Sequence, residues 1–253
     1  MKSFTKLLLA AIFLFGTVCA NAKSPVAVNA DSTQLVDRHL SGFSSIKIAG
    51  PFEVHLKQGT EESVKIETPE DVKSRITAEV TGSVLKIHNT HDNWSQGTKS
   101  WYSDKGVWHN HKKIVVYITA KDLNGITVSG SGAVTFEEGF TTASLKLRVR
   151  GSGHILGKID VKKLKSDISG SGNIKLSGNA ESSKVRVIGS GKFTGRNLIT
   201  VNSAAHVSGS GDAEVNASDK VDAVVHGSGV ISYAGAVKII KSSKSGSGEI
   251  TRF

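Results

Sequence analysis

The tripeptide Gly-Ser-Gly occurs seven times after residue 129, and its spacing leaves little freedom for the fold. The first glycines are Gly130, Gly151, Gly170, Gly189, Gly209, Gly227 and Gly246; the last are Gly132, Gly153, Gly172, Gly191, Gly211, Gly229 and Gly248. Successive copies therefore lie 21, 19, 19, 20, 18 and 19 residues apart. The neighbours keep step. Two residues before the first glycine stand Val128, Val149, Ile168, Val187, Val207 and Val225, with Lys244 breaking the series. Two after the last stand Val134, Ile155, Ile174, Phe193, Ala213, Ile231 and Ile250. Polar residues alternate with these, which is the period of a strand with one buried face.

Each unit reads strand, corner, strand, looser turn, strand. Such a unit is too small to bury its own apolar face, but stacked copies build one continuous core. The fold class expected is all-β: a β-helix (solenoid) of about 19–20 residues per coil, with Gly-Ser-Gly corners. A propeller blade needs roughly 40 residues, and no leucine-rich motif is present. Glycine suits the corner because a sharp turn often needs positive φ, and because stacked corners bring backbones close. The middle serines, Ser131 through Ser247, are expected to hydrogen-bond as a ladder along the stack.

The first half fits more loosely. Ile46, Ile48, Gly50, Val54 and Leu56 match Ile126, Val128, Gly130, Val134 and Phe136 at a constant offset of 80, which reads as four periods. Val80, Gly82, Leu85 and Ile87 form a fainter copy. These segments are expected to be atypical early or capping coils. Asn89 to Lys113 interrupts the pattern as an insertion.

Composition narrows the classes further. Glycine makes up 27 of 253 residues and the prolines are Pro25, Pro51 and Pro69 alone, which excludes collagen and proline-rich linkers. Lys2 and Lys6 precede an apolar run from Leu7 to Phe15, and Ala20-Asn21-Ala22 offers a small-x-small cleavage site. Residues 1–22 are thus expected to be a secretory signal peptide, too short in its apolar part to span a bilayer. Cys19, the single cysteine, follows Val18 where a lipoprotein signal wants a small residue. Without the leader there is no thiol, hence no disulfide framework, cysteine-ligated zinc or cysteine nucleophile. Without Lys2 and Lys6 the chain carries 30 basic and 22 acidic residues, a net +8. Residues 23–40 are expected to form a polar tether and 41–253 the β-helix domain. Within that domain, 41–88 would be the atypical coils, 89–113 the insertion and 114–253 the regular repeats.

The runs SGSGAVTF, RGSGHILG, SGSGNIKLSG, IGSGKFTG, SGSGDAEV and HGSGVISYAG, preceded by GFSSIKIAGPFEVHLKQG and AKDLNGITVSGSG, resemble one family. It is the putative auto-transporter adhesin head (GIN) domain family of exported bacterial proteins. The resemblance covers about Ser41 to Phe253. It implies a right-handed β-helix at the cell envelope, and it carries over no catalytic residues.

Motifs for chemistry are few. Gly189-Ser-Gly-Lys-Phe-Thr-Gly195 looks like a phosphate loop, but a strand follows where a helix N-terminus is required, and the tripeptide recurs six more times. Calcium β-rolls place an aspartate in every repeat, whereas the corners here are followed by Ala, His, Asn, Lys, Asp, Val and Glu. Thr127, Arg148, Asp167, Arg186 and His206 share one position three residues before the corner. That column gives one carboxylate among cations, not the acid/base pair of a polysaccharide-degrading enzyme. From Lys146 to Arg196 there are twelve Lys/Arg against three acids, with Arg148, Arg150 and Arg186 heading the basic surface. The insertion holds all three tryptophans, Trp94, Trp101 and Trp108, with Tyr102, His109 and His111 beside them. His88, His91, His109 and His111 have the residue type of a metal site, but loop imidazoles are usually solvated, so neither metal nor cofactor is expected.

The function expected is a non-catalytic, exported, adhesin-like binding module of the periplasm, outer-membrane surface or medium. Trp94, Trp101, Tyr102, Trp108, His109 and His111 are its candidate contact surface, the alternative being that these aromatics fold back as a flap over the solenoid core. The partner classes are acidic polysaccharide, lipopolysaccharide or a surface protein, and not nucleic acid; a homo-oligomer is a further expectation. A β-helix polysaccharide-degrading enzyme and a self-assembling envelope protein are the alternatives.

Overall fold

The computed structural model describes residues 33–90 and 113–253. The first part holds β1 (Thr33–Asp37), β2 (Ser45–Ala49), β3 (Glu53–Gln58), β4 (Ser63–Pro69), β5 (Ile76–Thr81), β6 (Val84–Asn89), β7 (Val115–Ala120), β8 (Gly125–Gly130) and β9 (Ala133–Phe136). A 3-10 turn, Glu70–Arg75, joins β4 to β5. The second part holds β10 (Phe140–Gly151), β11 (His154–Gly170), β12 (Asn173–Gly189), β13 (Lys192–Gly209), β14 (Asp212–Gly227), β15 (Val230–Ala234), β16 (Ile239–Ser245) and β17 (Glu249–Arg252). They form one 17-stranded sheet wound into a β-solenoid of about 7 turns. Among the described residues no helix is long and apolar enough to cross a membrane.

β12 shows how sequence becomes coil. Ile174 and Leu176 point inward on the first face, Ala180 on the second, and Ser183, Val185 and Val187 on the third, all buried. The step of two breaks where the chain turns between faces, most visibly from Ala180 to Ser183. Neighbouring coils stack in parallel register, with Ile155, Ile174 and Phe193 in one inward lane and Gly151, Gly170 and Gly189 aligned at the corner.

The two corner glycines do different work. Gly170 has φ +114°, a conformation that a side chain rarely tolerates. At Gly172 an added Cβ would lie 2.6 Å from the Gly153 carbonyl oxygen, so bare backbone is needed for close stacking. The expected serine ladder is instead a main-chain one. The Ser171 N–H donates to the Gly151 carbonyl at 3.0 Å and the Ser190 N–H to Gly170 at 3.0 Å, while the serine side chains are exposed.

The beginning departs from the expected order. Ile46 lies directly beside Ile126, Ile48 beside Val128, Val54 beside Val134 and Leu56 beside Phe136. The offset of 80 is thus one step of the stack, not four periods. β6 pairs with the other edge of β2, and β7 with the other edge of β3. The β2–β3 layer is therefore held between β6–β7 and β8–β9, although it precedes both in the chain. Every strand has two edges, and matching apolar lanes on both sides satisfy both. β4 runs antiparallel to β7, β1 to β4 and β5 to β6, which closes this end.

β1 also corrects the tether, because Thr33–Asp37 is paired strand and not linker. Its Leu35 is 60% exposed, so the strand rests on main-chain pairing and lacks an apolar signature. The insertion springs from a corner: His88 lies beside Ala49 and Val115 beside Glu53, so it replaces the turn that Gly50, Pro51 and Phe52 make in the next layer. Trp94, Trp101, Tyr102, Trp108, His109 and His111 lie outside the described residues. At the other end every residue of β16 is exposed, which explains Lys244: its lane position beside Val225 is no longer covered by a further coil.

Candidate functional site

The outward side chains of the third face form lanes that cross the strands. Lys146, Lys165 and Lys184 share one lane. The next lane runs Thr127, Arg148, Asp167, Arg186, His206, as the repeat spacing predicts. A third holds Arg150, Ser169 and Ile188. Arg148, Arg150 and Arg186 thus come together with three lysines on one surface of three consecutive coils.

Among the described residues, one acid serves these cations. Asp167 lies 3.5 Å from Arg148 Nε and 3.9 Å from Lys165 Nζ. Among the described residues, Lys146, Arg150, Lys184 and Arg186 have no acidic partner in an ion pair. Like charges directly opposite on neighbouring strands destabilise a sheet, so the lysine lane costs stability that an external anion would restore. Beyond Arg186 the lanes continue into His206, whose ring lies 5.3 Å from that of His226. Burial lowers the His206 pKa below its ordinary value, and Arg186, His226 and Lys184 add to the effect.

A second cluster was not anticipated from the sequence. On the first face, near the capped end, His55 lies 3.1 Å from Glu137 and 3.6 Å from Glu53, and its ring stacks on Tyr117 at 5.4 Å. The Tyr117 hydroxyl donates to Glu67 at 3.1 Å, which raises its pKa. Lys113, at the foot of the insertion, lies 3.0 Å from Glu53 and holds that carboxyl below the usual range. Three strands, β3, β4 and β7, contribute these residues, with Glu137 just after β9 and Lys113 just before β7. The one sequence signal for them is the offset of 80, once it is taken as adjacency: it sets Lys57 opposite Glu137 and so brings His55 next to it. The cluster lies open on the sheet, with Glu137 42% exposed.

An apolar strip also crosses the turn between the second and third faces. It is a shallow groove of about 600 Å³ over Thr142, Ala143, Val161, Ala180, Ile199 and Val201. Among the described residues, no group of three or more His, Cys, Asp or Glu side chains is arranged to hold a metal ion.

A model of the family described as "Putative auto-transporter adhesin, head GIN domain" matches residues 42–236. A solved structure described as a putative adhesin from Bacteroides fragilis is 27% identical, with a TM-score of 0.76, over 88% of this chain and 97% of that one. A putative adhesin from Parabacteroides distasonis is 22% identical, with a TM-score of 0.69, over 88% of this chain and 97% of the other. A putative lipid binding protein from the same species is 20% identical, with a TM-score of 0.66, over 87% and 96%. The last two likenesses bear on fold alone. No curated protein is significantly similar to the chain.

Proposed function

The chain belongs to the family described as putative auto-transporter adhesin, head GIN domain, and from that membership we propose a non-catalytic, adhesin-like module exported to the cell envelope. It holds an acidic surface polymer, such as an anionic polysaccharide, on the third face. The observation that carries this reading is the set of cations on three consecutive coils with a single acid among them. Long-range attraction brings an anionic polymer to such a face, and salt weakens it. The leader-like residues 1–22 support export.

The test is retention of the purified chain on immobilised polygalacturonate and on neutral dextran across a salt series. Retention on the acidic matrix alone, lost with added salt and in Lys146→Glu/Lys184→Glu, supports the reading. Equal retention on dextran overturns it. Deleting residues 92–110 separates the two candidate surfaces: retention persists if the third face binds, and disappears if the aromatic segment does. A second reading, polysaccharide cleavage, draws on the Glu53–His55–Glu137 group. It requires new reducing ends that vanish in Glu137→Gln.

A further inference from the structure

The lanes of the third face say more than net charge does, and this step rests on the polyanion reading above. Coil by coil, β10 presents Lys146 and Arg148, β11 Lys165, β12 Arg186, β13 His206 and β14 His226. Strands in a sheet lie about 4.8 Å apart, so the first three coils spread cations over roughly 10 Å and all five over roughly 19 Å. We infer that the ligand is a linear polyanion lying along the solenoid axis, across the strands, its successive anionic groups meeting successive coils from Lys146 towards His226.

Three observations converge on that geometry. The lysine lane repeats like charges at strand spacing, and a polymer with anions at a similar spacing neutralises each in turn. The surface is an open sheet whose cations repeat from coil to coil, which suits an extended ligand lying across the strands. The histidine pair continues the track in the direction of the open end of the solenoid, where β16 is uncovered.

The histidines also set where the track ends. His206 faces Arg186 and Lys184 from β12, and from β14 it faces His226 and, one lane over, Asp222. His226 faces Ser208 from β13 and Ser245 from β16. Burial and the neighbouring cations disfavour a charged His206 in the free protein. An anion laid over the pair reverses that balance. Acidification that charges the pair then lengthens the track from three coils to five.

Oligogalacturonates of graded length carry one carboxylate per sugar and remain ionised at mildly acidic pH, and they can be titrated calorimetrically into the full chain at pH 7.5 and 5.5. Affinity should climb with length, levelling off near three sugars at pH 7.5 and near five at pH 5.5. The five-sugar oligomer should bind about tenfold more tightly at the lower pH. In His206→Gln/His226→Gln the pH 7.5 curve should stand and the longer plateau should vanish. Binding that ignores length, or inositol hexakisphosphate competing as well as the longest oligomer, overturns the axial track and leaves the anion reading intact. Equal plateaus at both pH values overturn the histidine extension. If polygalacturonate itself fails to bind, the polyanion reading falls and the track with it.

Discussion

At its beginning the solenoid is closed by β1, β4 and β5, which run antiparallel to their neighbours, whereas at its end β16 lies on β14 with every residue exposed. The core follows the same gradient. Ile46, Ile48, Leu56, Ile66, Leu85 and Ile87 fill the capped end, while Ala205, Ala213, Ala217 and Ala223 line the later coils. Between the two regions, Gln58 acts as a short strand edge. Its amide nitrogen donates to the Thr141 carbonyl at 2.9 Å and its oxygen accepts from the Thr141 N–H at 2.9 Å, so it completes the edge of β10 where no earlier coil reaches the second face. A solenoid thus needs dedicated, non-local structure where it starts, and repetition suffices afterwards.

The comparison breaks most sharply in the core. Ile174→Asp buries an unpaired charge at a position 0% exposed and should abolish folding. Ile240→Asp, in the inward lane of β16 but 46% exposed, should shift stability by about 1 kcal/mol or less. Thermal melts followed by circular dichroism compare the two directly, and equal losses would mean that the last coil is as well covered as the coil of Ile174.

Corners give the next largest contrast. At Gly172 a Cβ meets the Gly153 carbonyl at 2.6 Å, whereas at Gly130 its nearest neighbour is Gly50 N at 3.7 Å. Gly172→Ala should therefore cost upwards of about 3 kcal/mol in denaturant unfolding, and Gly130→Ala only the roughly 1–2 kcal/mol of its left-handed backbone. Similar costs would show that the backbone around Gly172 shifts enough to relieve its contact with Gly153. Gln58→Ala removes the paired hydrogen bonds to Thr141 and should cost about 1–2 kcal/mol. Amide exchange should then quicken at Thr141 and not at Thr200; uniform quickening would argue that Gln58 supports the whole stack.

The smallest effect concerns pH. His206 has a lowered pKa in the folded chain, so on acidification the unfolded chain takes up its proton first, near pH 6.5. Its contribution is complete above that value and is lost as pH falls through it. The melting temperature of His206→Gln should accordingly fall less between pH 7 and 5 than that of the parent chain. A parallel decline would assign the pH dependence to other groups.

The regular coils were legible because their information is local. Arg148, Asp167, Arg186 and His206 lie one period apart in the chain and one strand apart in space. The same logic misplaced Ile46 relative to Ile126, because 80 residues equals four periods only by coincidence when β6 and β7 are laid on the far side of β2 and β3. It also hid the Glu53–His55–Glu137–Tyr117 cluster, which depends on register between strands distant in sequence. β1 left no trace, since a short edge strand with Leu35 exposed has no alternation to detect.

The sandwiched β2–β3 layer bears on how such a protein can change length. Both of its neighbours are present only when β6, β7, β8 and β9 are all kept, because β6–β7 and β8–β9 lie on opposite sides of it. No single period can be cut from that stretch without stranding an edge. Beyond β10 each coil touches only the one before and the one after. Removing residues 171–189 would join Gly170 to Ser190, preserve a Gly-Ser-Gly corner and lay the inward lanes of β13 on those of β11. Insertions and deletions of whole coils are thus free to lengthen or shorten the charged track at its far end, while the capped beginning behaves as one indivisible piece.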